Sequence, residues 1–165
     1  MTMDDKDRLL LTILEDDSRT PIADLADMAD LSEEEAAARI GILEEQGVIR
    51  KYRAVVDWEK AGEPEVAAII DLKVNPERDF GYDKIAERIG RFSQVRSLRL
   101  ISGVYDLQLL LVGRNIHEIT SFVAEQIAPM DHIRETATIL IMKTYKENGH
   151  TFFEREGGER LPISL

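Results

Sequence analysis

Cysteine is absent from this sequence of 165 residues, and its absence excludes several classes of protein. Without cysteine the chain has no disulfide scaffold, no zinc site with Cys ligands and no thiol nucleophile. Long hydrophobic runs are also missing, because no apolar stretch approaches the roughly 20 residues that span a bilayer. The N-terminal stretch MTMDDKDR is charged and has no signal-peptide core, so we expect a cytoplasmic protein.

Motifs that carry catalytic or metal chemistry are missing as well. His117, His132 and His150 do not have the spacing of metal ligands, and no serine or threonine lies in a nucleophile motif. The sequence also contains no Gly-rich phosphate-binding loop. We therefore expect no catalytic residue, no metal, no cofactor and no enzymatic activity.

Basic residues are few in the first part of the chain. The formal net charge is −11, and residues 1–50 contain 14 acidic against 5 basic side chains. The rest of the chain is nearly balanced, with 18 acidic and 16 basic side chains. A basic patch is the usual electrostatic signature of nucleic-acid binding. Residues 1–50 therefore lack the charge that a DNA-binding surface normally has.

Apolar residues at helical spacing predict three short helices in residues 1–50. Thr20 is the expected N-cap of the second helix, with Pro21 at its first position. The tight turn at residues 29–31 favours a helix-turn-helix, and periodicity alone allows a generic three-helix bundle equally well. Residues 51–65 follow as an extended connector or a small wing.

The third predicted helix begins at a Ser-x-x-Glu capping box, formed by Ser32 and Glu35, and ends at Gly47. A helical wheel places small and acidic residues on the face opposite the core: Glu34, Ala38, Gly41 and Glu45, flanked by Ala37 and Ile42. This face offers no cation and no Asn or Gln for bidentate base contacts. Arg39 lies nearer the core, where it either contacts a phosphate or pairs with Asp7 or another neighbour.

The remaining sequence predicts strand, helix, strand, strand, helix and strand in that order. The expected strands are residues 66–74, 94–101, 104–112 and 132–145, and the expected helices are residues 81–92 and 115–127. A two-residue hairpin at Ser102-Gly103 joins the second and third strands. The order is that of the ferredoxin-like βαββαβ motif, with both helices on one face of an antiparallel sheet, so the whole chain is α+β.

Apolar residues occupy consecutive positions in two of these strands, at 109–112 and 139–142. Such runs indicate strands whose two faces are both dry, although the helices cover only one face of the sheet. We therefore expect a second copy of the domain to cover the other face.

Five segments in order resemble the Lrp/AsnC (feast/famine) family of prokaryotic transcription regulators. They are MDDKDRLLLTILEDDSR, DLADMADLS, RIGILEEQGVI, AVVDWEKAG and ISGVYDLQLLLV, the last of which contains the Gly-x-Tyr-Asp signature of the family's effector domain. The resemblance covers residues 3–145. It implies a helix-turn-helix DNA-binding domain in residues 1–50, the connector, and an effector-binding and oligomerisation domain in residues 66–145. The tail in residues 146–165 lies past the resemblance, and Gly157-Gly158 in it suggests a hinge. Phe152, Phe153 and the terminal LPISL either dock on the body or a partner or form a frayed end, which we expect.

The resemblance implies a regulator that binds double-stranded DNA and responds to a small effector, usually an amino acid, at the oligomer interface. Such proteins form homodimers through the effector sheets, and the dimers often assemble into tetramers or octamers. The DNA-binding residues that we expect are Arg19, Ser32, Glu34, Ala37, Ala38, Arg39, Gly41, Arg50, Lys51 and Arg53. The effector-binding residues that we expect are Ser102, Gly103, Tyr105, Asp106, Thr136 and Thr138.

Two points stay open at this stage. From the residues alone, Asp106 either holds an α-ammonium group or caps a turn that Gly103 permits. The third helix also departs from the family, which usually has Ser, Thr, Arg or Lys along it, and Asp30 replaces the usual turn glycine. The alternative function is therefore an amino-acid sensor whose acidic helix-turn-helix no longer reads DNA and acts through a paralogue or another protein.

Overall fold

A computed structural model describes residues 3–76 and 81–153. These residues fall into two compact units, one of residues 3–56 with 146–151 and one of residues 57–145 with 152–153. No helix in the described part of the chain is long and apolar enough to cross a membrane.

The first unit contains three helices, as the periodicity predicts: α1 (Asp5–Asp16), α2 (Ile22–Ala29) and α3 (Glu33–Glu45). Its core is formed by Leu10, Leu25 and Ala29, with half-buried apolar residues of all three helices around them. Burial of this shared apolar face holds the helices together, because helices of 8 to 13 residues are marginal in isolation.

The boundaries of α2 differ from the prediction at the start and agree with it at the end. The predicted N-cap Thr20 is wrong by one residue, because Pro21 occupies the cap position, with ψ of 150°. The Thr20 hydroxyl instead donates to the Asp17 carbonyl at 2.8 Å. Asp30 ends the helix in the left-handed region with φ of 51°. An Asp adopts this conformation at modest cost, so the usual turn glycine is dispensable here.

Residues 50–56 have no regular secondary structure and are exposed. They form no wing, since they pair with no strand among the described residues, and residues 58–62 of the predicted extended connector form a turn. Exposed apolar side chains, including Val55 and Val56, accompany the basic residues of this segment.

The second unit is a four-stranded antiparallel sheet with helices on one face, which confirms the ferredoxin-like prediction. Its elements are β1 (Val66–Val74), α4 (Asp83–Gly90), β2 (Val95–Leu100), β3 (Leu107–Gly113), α5 (Ile116–Phe122) and β4 (Ile133–Ile141). The spatial order of the strands is β2-β3-β1-β4. A π-helical turn, Val123–Ile127, continues α5. Alternate residues of β1 and β3 are fully buried beneath the helices, among them Ile70, Leu72 and Leu109.

The connection between β2 and β3 is longer than predicted. Residues 101–106 form it, and the two-residue hairpin expected at Ser102-Gly103 is wrong. The Asp106 N–H donates to the Leu72 carbonyl of β1 at 2.9 Å, and the Ile101 N–H donates to the Asp106 carbonyl at 2.8 Å. Because these bonds fix Asp106 at the base of the loop, β3 begins only at Leu107.

The described part of the tail is ordered, which corrects the prediction of a frayed end from residue 146 onward. Strands β5 (Lys146–Glu147) and β6 (His150–Thr151) pair across a turn in which Asn148 and Gly149 both have positive φ. Asn-Gly is a strong hairpin signal that sequence reasoning overlooked. Tyr145 and Phe153 stack with ring centroids 5.6 Å apart. The predicted hinge at Gly157-Gly158 and the terminal LPISL lie outside the described residues.

Candidate DNA-binding helix and effector loop

Helix α3 is fixed at its N-terminus by the predicted capping box. The Glu35 N–H donates to the Ser32 Oγ at 3.2 Å, and the Ser32 N–H donates to the Glu35 carboxylate at 3.1 Å. Hydrogen bonds from the Ser32 backbone and hydroxyl hold the pKa of Glu35 below its ordinary value. Both side chains therefore stabilise the helix start, where acidic groups also favour the helix dipole.

The outward face of α3 has the composition that the helical wheel predicts. Ala36 and Leu43 are buried against the core. The opposite side exposes Glu34, Ala37, Ala38, Ile42 and Glu45, with Gly41 half-buried between them. This surface, which we call the outward face, therefore carries apolar groups and carboxylates and no cation.

Arg39 is held inside the first unit. Its Nη1 donates to Asp4 Oδ2 and to Asp7 Oδ1, both at 2.8 Å, and the Asp7 side chain is fully buried. The backbone of Asp7 and the Arg39 guanidinium hold the pKa of Asp4 below its ordinary value. Of the two alternatives for Arg39, the structure shows the pairing with Asp7, and a contact of Arg39 with DNA stays a prediction.

The other four cations that we expect at the DNA are all exposed: Arg19, Arg50, Lys51 and Arg53. None of them forms an ion pair within the described part of the chain. The Tyr52 hydroxyl donates to Glu44 of α3 at 2.8 Å. Tyr52 is 42% exposed, and its partial desolvation together with this hydrogen bond raises its pKa to about 12. Tyr52 thereby anchors the connector to α3, so its neighbours Lys51 and Arg53 are held close to the end of that helix.

Asp106 ties the 101–106 loop to β1. Its Oδ2 accepts from the Val74 N–H at 2.8 Å, and its Oδ1 accepts from the Tyr82 hydroxyl at 3.3 Å. The Lys73 Nζ lies 3.9 Å from Oδ2 and donates to the Val104 carbonyl. These contacts match the alternative in which Asp106 fixes the turn, and its contact with an effector stays a prediction. The loop tip at Ser102 and Gly103 is exposed, with its backbone free to approach a ligand.

Tyr105 contacts the sheet face that the helices leave uncovered, which we call the open face. Its hydroxyl donates to Glu135 Oε1 at 3.1 Å, and this bond raises the pKa of Tyr105. Glu135 pairs in register with Lys73 of β1. Since alternate β1 residues such as Leu72 are buried beneath the helices, Lys73 and Glu135 lie on the opposite side.

Thr136 and Thr138 lie on the helix-covered side of edge strand β4, because they pair with Leu72 and Ile70. Of the six predicted effector residues, four therefore lie in the loop, where the Tyr105 hydroxyl contacts the open face, and the two threonines lie on the helix-covered side. Sequence reasoning missed Tyr82 and Glu135, which contact the loop residues directly. Tyr82 at the start of α4 was visible in the sequence, but nothing local indicated that it contacts the 101–106 loop.

The open face has an apolar end and a polar end. Its apolar residues, given by the register of the strands, are Ala67, Ile69, Leu110, Val112, Ala137, Ile139 and Ile141. At the end nearer the 101–106 loop, Gln108 donates to Asp71 at 3.0 Å. Ile139 is 51% exposed, so the face is not dry in a single chain. The described residues contain no group of three or more His, Asp or Glu that could hold a metal.

Comparisons with known proteins match both units. Residues 3–44 match the AsnC-type helix-turn-helix domain, and residues 67–151 match the Lrp/AsnC ligand binding domain. The uncharacterized HTH-type transcriptional regulator YugG of Bacillus subtilis is 37% identical over 165 residues, which cover 99% of each chain.

Solved structures give the same result. An AsnC family transcriptional regulator from Agrobacterium tumefaciens superposes with a TM-score of 0.71 at 29% identity, over 92% of this chain and 96% of that chain. A transcriptional regulator from Neisseria meningitidis, solved as its L-Met complex, shares the fold with a TM-score of 0.71 at 21% identity, over 92% and 95% of the two chains.

A helix-turn-helix unit followed by a ligand-binding unit of this fold defines a transcriptional regulator. The chain belongs to the Lrp/AsnC family, as the resemblance in its sequence predicts. The match to the ligand binding domain runs to residue 151 and so includes the β5–β6 hairpin, which lies past the end of the resemblance at about residue 145. The comparisons lend no support to the alternative of a sensor that no longer reads DNA.

Proposed function

We propose that this regulator binds double-stranded DNA as a homodimer, through α3 and the adjoining connector, and that an amino acid bound beside the 101–106 loop tunes the binding. The observation that carries the proposal is the arrangement of the first unit. Helix α3 exposes one complete face, and the connector anchored to it by Tyr52 supplies cations that form no ion pair among the described residues. Two such units related by a two-fold axis fit half-sites one helical turn apart.

Fluorescence anisotropy tests the DNA binding. The probe is a labelled duplex from the region upstream of the protein's own gene, and a shuffled duplex of the same composition is the control. We expect saturable binding that weakens linearly in log salt and exceeds binding to the control. Equal binding to both duplexes at every salt concentration would contradict sequence-specific regulation.

The proposed dimer uses the open face of the sheet. A single chain leaves Ile139 half exposed there, next to other apolar residues, and contiguous exposed apolar surface of this kind marks an interaction site. A second copy is the occupant that we propose, because a two-fold axis brings the same apolar end of both sheets together.

Light scattering after gel filtration tests this interface with two adjacent residues of β4. Ile139 is 51% exposed on the open face, and Leu140 is 46% exposed on the opposite face. We expect Ile139→Glu to reduce the mass from twice the 18.7 kDa of one chain to a single chain, and Leu140→Glu to remain dimeric. Loss of the dimer in Leu140→Glu alone would place the interface on the other face.

The proposed effector is an amino acid. Exposed backbone amides at Ser102 and Gly103 suit an α-carboxylate, and the Asp106 carboxylate suits an α-ammonium group if the Tyr82 bond at 3.3 Å is released. The Neisseria relative, solved with L-Met, shares this fold and makes an amino acid the first class to test. Dimer contact at the apolar end of the open face leaves the polar end, next to the loop, for the effector.

Calorimetric titration with each of the twenty standard amino acids tests the effector site. Asp106→Asn keeps an oxygen that accepts from the Val74 N–H but removes the charge, so the loop is expected to remain folded. We expect roughly ten- to a hundredfold weaker binding in this variant, because hydrogen bonds to charged groups contribute about 1.5–3 kcal/mol. Exposed Glu125 provides the control Glu125→Gln. Unchanged affinity in Asp106→Asn would leave Asp106 with the structural role only.

A further inference from the structure

The outward face of α3 offers no side-chain hydrogen-bond donor. Its exposed groups are the methyls of Ala37, Ala38 and Ile42 and the carboxylates of Glu34 and Glu45. Ionised carboxylates only accept hydrogen bonds. The guanidinium nearest to this face in sequence, that of Arg39, is committed to Asp4 and Asp7.

This composition narrows the base-pair groups that α3 recognises. Guanine presents two acceptors in the major groove, N7 and O6, and reading them requires a donor such as Arg or Lys. Adenine N7 also requires a donor, whereas the C5 methyl of thymine is an apolar group that packs against Ala or another apolar side chain. A donor-free face with small apolar residues therefore suits thymine and opposes guanine.

The geometry of the helix supports close approach. Ala38 is exposed, and Gly41 is half-buried one turn further along. Because neither residue has a long side chain, the helix backbone can approach a ligand closely at this point. Ile42 is 36% exposed beside them and extends the apolar surface. The carboxylates of Glu34 and Glu45 lie at the two ends of the same face. There they repel base acceptors and can accept only from the amino groups of cytosine or adenine, so the centre of the face has apolar groups alone.

We propose that the outward face of α3 reads thymine C5 methyl groups, through Ala38 and Ile42, rather than hydrogen-bonding base edges. This inference rests on the proposed DNA binding. It predicts operators in which thymines occupy the major-groove positions beneath α3 and guanines are avoided there.

Deoxyuridine tests the proposal because it differs from thymidine only by lacking the methyl group. The protein first selects a duplex from a random library. This duplex is then synthesised as a series in which each thymine is replaced singly by uracil. The affinity of the protein for each member is measured by fluorescence anisotropy at fixed salt. Each contacted methyl is expected to contribute about fourfold in affinity, from the burial of one methyl-sized group.

Equal affinity for every uracil-substituted duplex would overturn the thymine assignment and leave the proposed DNA binding intact. Failure to bind any duplex, even at low salt, would overturn both. The two proposals are therefore separable by whether the unsubstituted duplex binds.

A double variant assigns the contact to the outward face. Ala38→Gly with Ile42→Ala removes the proposed methyl contacts, so the thymine-to-uracil affinity ratio is expected to fall to one. The matched control is Ala23→Gly with Leu9→Ala, at exposed positions of α2 and α1, where the ratio is expected to stay at the native value. Thermal unfolding establishes that both variants fold. A native ratio in the α3 variant would overturn the proposal.

Discussion

Lys51 provides a direct test of how this acidic regulator holds DNA. It follows α3 in the connector, is exposed, and forms no ion pair among the described residues. The hydroxyl of its neighbour Tyr52 donates a hydrogen bond to Glu44 of α3 at 2.8 Å, which keeps Lys51 near the proposed DNA-contacting helix. If phosphate contacts hold the protein on DNA, Lys51→Ala removes one contact from each copy.

The expected magnitude follows from counting cations. Arg19, Arg50, Lys51 and Arg53 give at most four phosphate contacts per copy and eight per dimer. Each contact contributes about 0.9 to the slope of log affinity against log salt, so the native slope is expected to be no steeper than about −7. Removal of Lys51 from both copies is expected to reduce the magnitude of the slope by about 1.8.

The assay is fluorescence anisotropy with one duplex over a series of salt concentrations. Arg91→Ala is the control, because Arg91 pairs with Glu87 on α4 in the other unit and is not expected to contact DNA. A native slope in Lys51→Ala would refute the assignment of connector cations to phosphates. A slope much steeper than −7 would show that cations outside this set contact the backbone.

Three further predictions concern the first unit. Asp7→Ala removes the buried partner of Arg39 and is expected to lower the free energy of unfolding by about 2–3 kcal/mol in denaturant titrations, while Asp5→Ala on the surface changes it little. The folded-state pKa values of Asp4 and Glu35 are lowered, so their stabilisation is present above the unfolded pKa of about 4 and lost as pH falls further. Melting temperatures that begin to fall already at pH 6 would contradict this. The difference between the absorbance titrations of the wild type and Tyr52→Phe is expected to show Tyr52 ionising at about 12. A midpoint at 10 would contradict both the desolvation of this hydroxyl and its bond to Glu44.

Local patterns account for the parts of the fold that the sequence predicted. The β1 strand was expected at residues 66–74 and is observed as Val66–Val74, because an apolar run bounded by polar residues is a local signal. The capping box at Ser32 and Glu35 located the start of α3 in the same way. The Gly47 stop is also local, since it needs only the left-handed conformation that this residue adopts, with φ of 67°.

Contacts between distant segments account for what was missed. Asp106 is 32 residues from Val74 and 24 from Tyr82, and no spacing rule connects them. The pairing of Arg39 with Asp4 likewise joins positions 35 residues apart. The length of the β2–β3 loop depended on one of these contacts, because the bonds of Asp106 to β1 delay the start of β3. The placement of Thr136 and Thr138 on the helix-covered side, away from the open face that Tyr105 contacts, follows from strand register, which the sequence alone did not determine.

Four of the acidic residues of the first unit have a structural use. Asp4 caps α1 and Glu35 completes the capping box of α3. Asp7 pairs with Arg39, and Glu44 accepts the hydrogen bond that anchors the connector. The net charge of this unit therefore overstates the repulsion at the DNA surface, where Glu34 and Glu45 are the acidic groups of the outward face. With few phosphate contacts per copy, one unit alone is still expected to bind DNA weakly.

Affinity must then come from the two helix-turn-helix units that a dimer links. DNA binding therefore depends on Ile139 at the proposed dimer interface, far from α3 in sequence. Linking two binding modules raises affinity by about 10²–10⁴ without a new contact. Ile139→Glu is expected to lose that factor in anisotropy titrations, while Leu140→Glu on the same strand keeps it. A monomeric Ile139→Glu protein that binds the duplex as tightly as the dimer would show that α3 and its connector suffice alone, and the argument from avidity would be wrong.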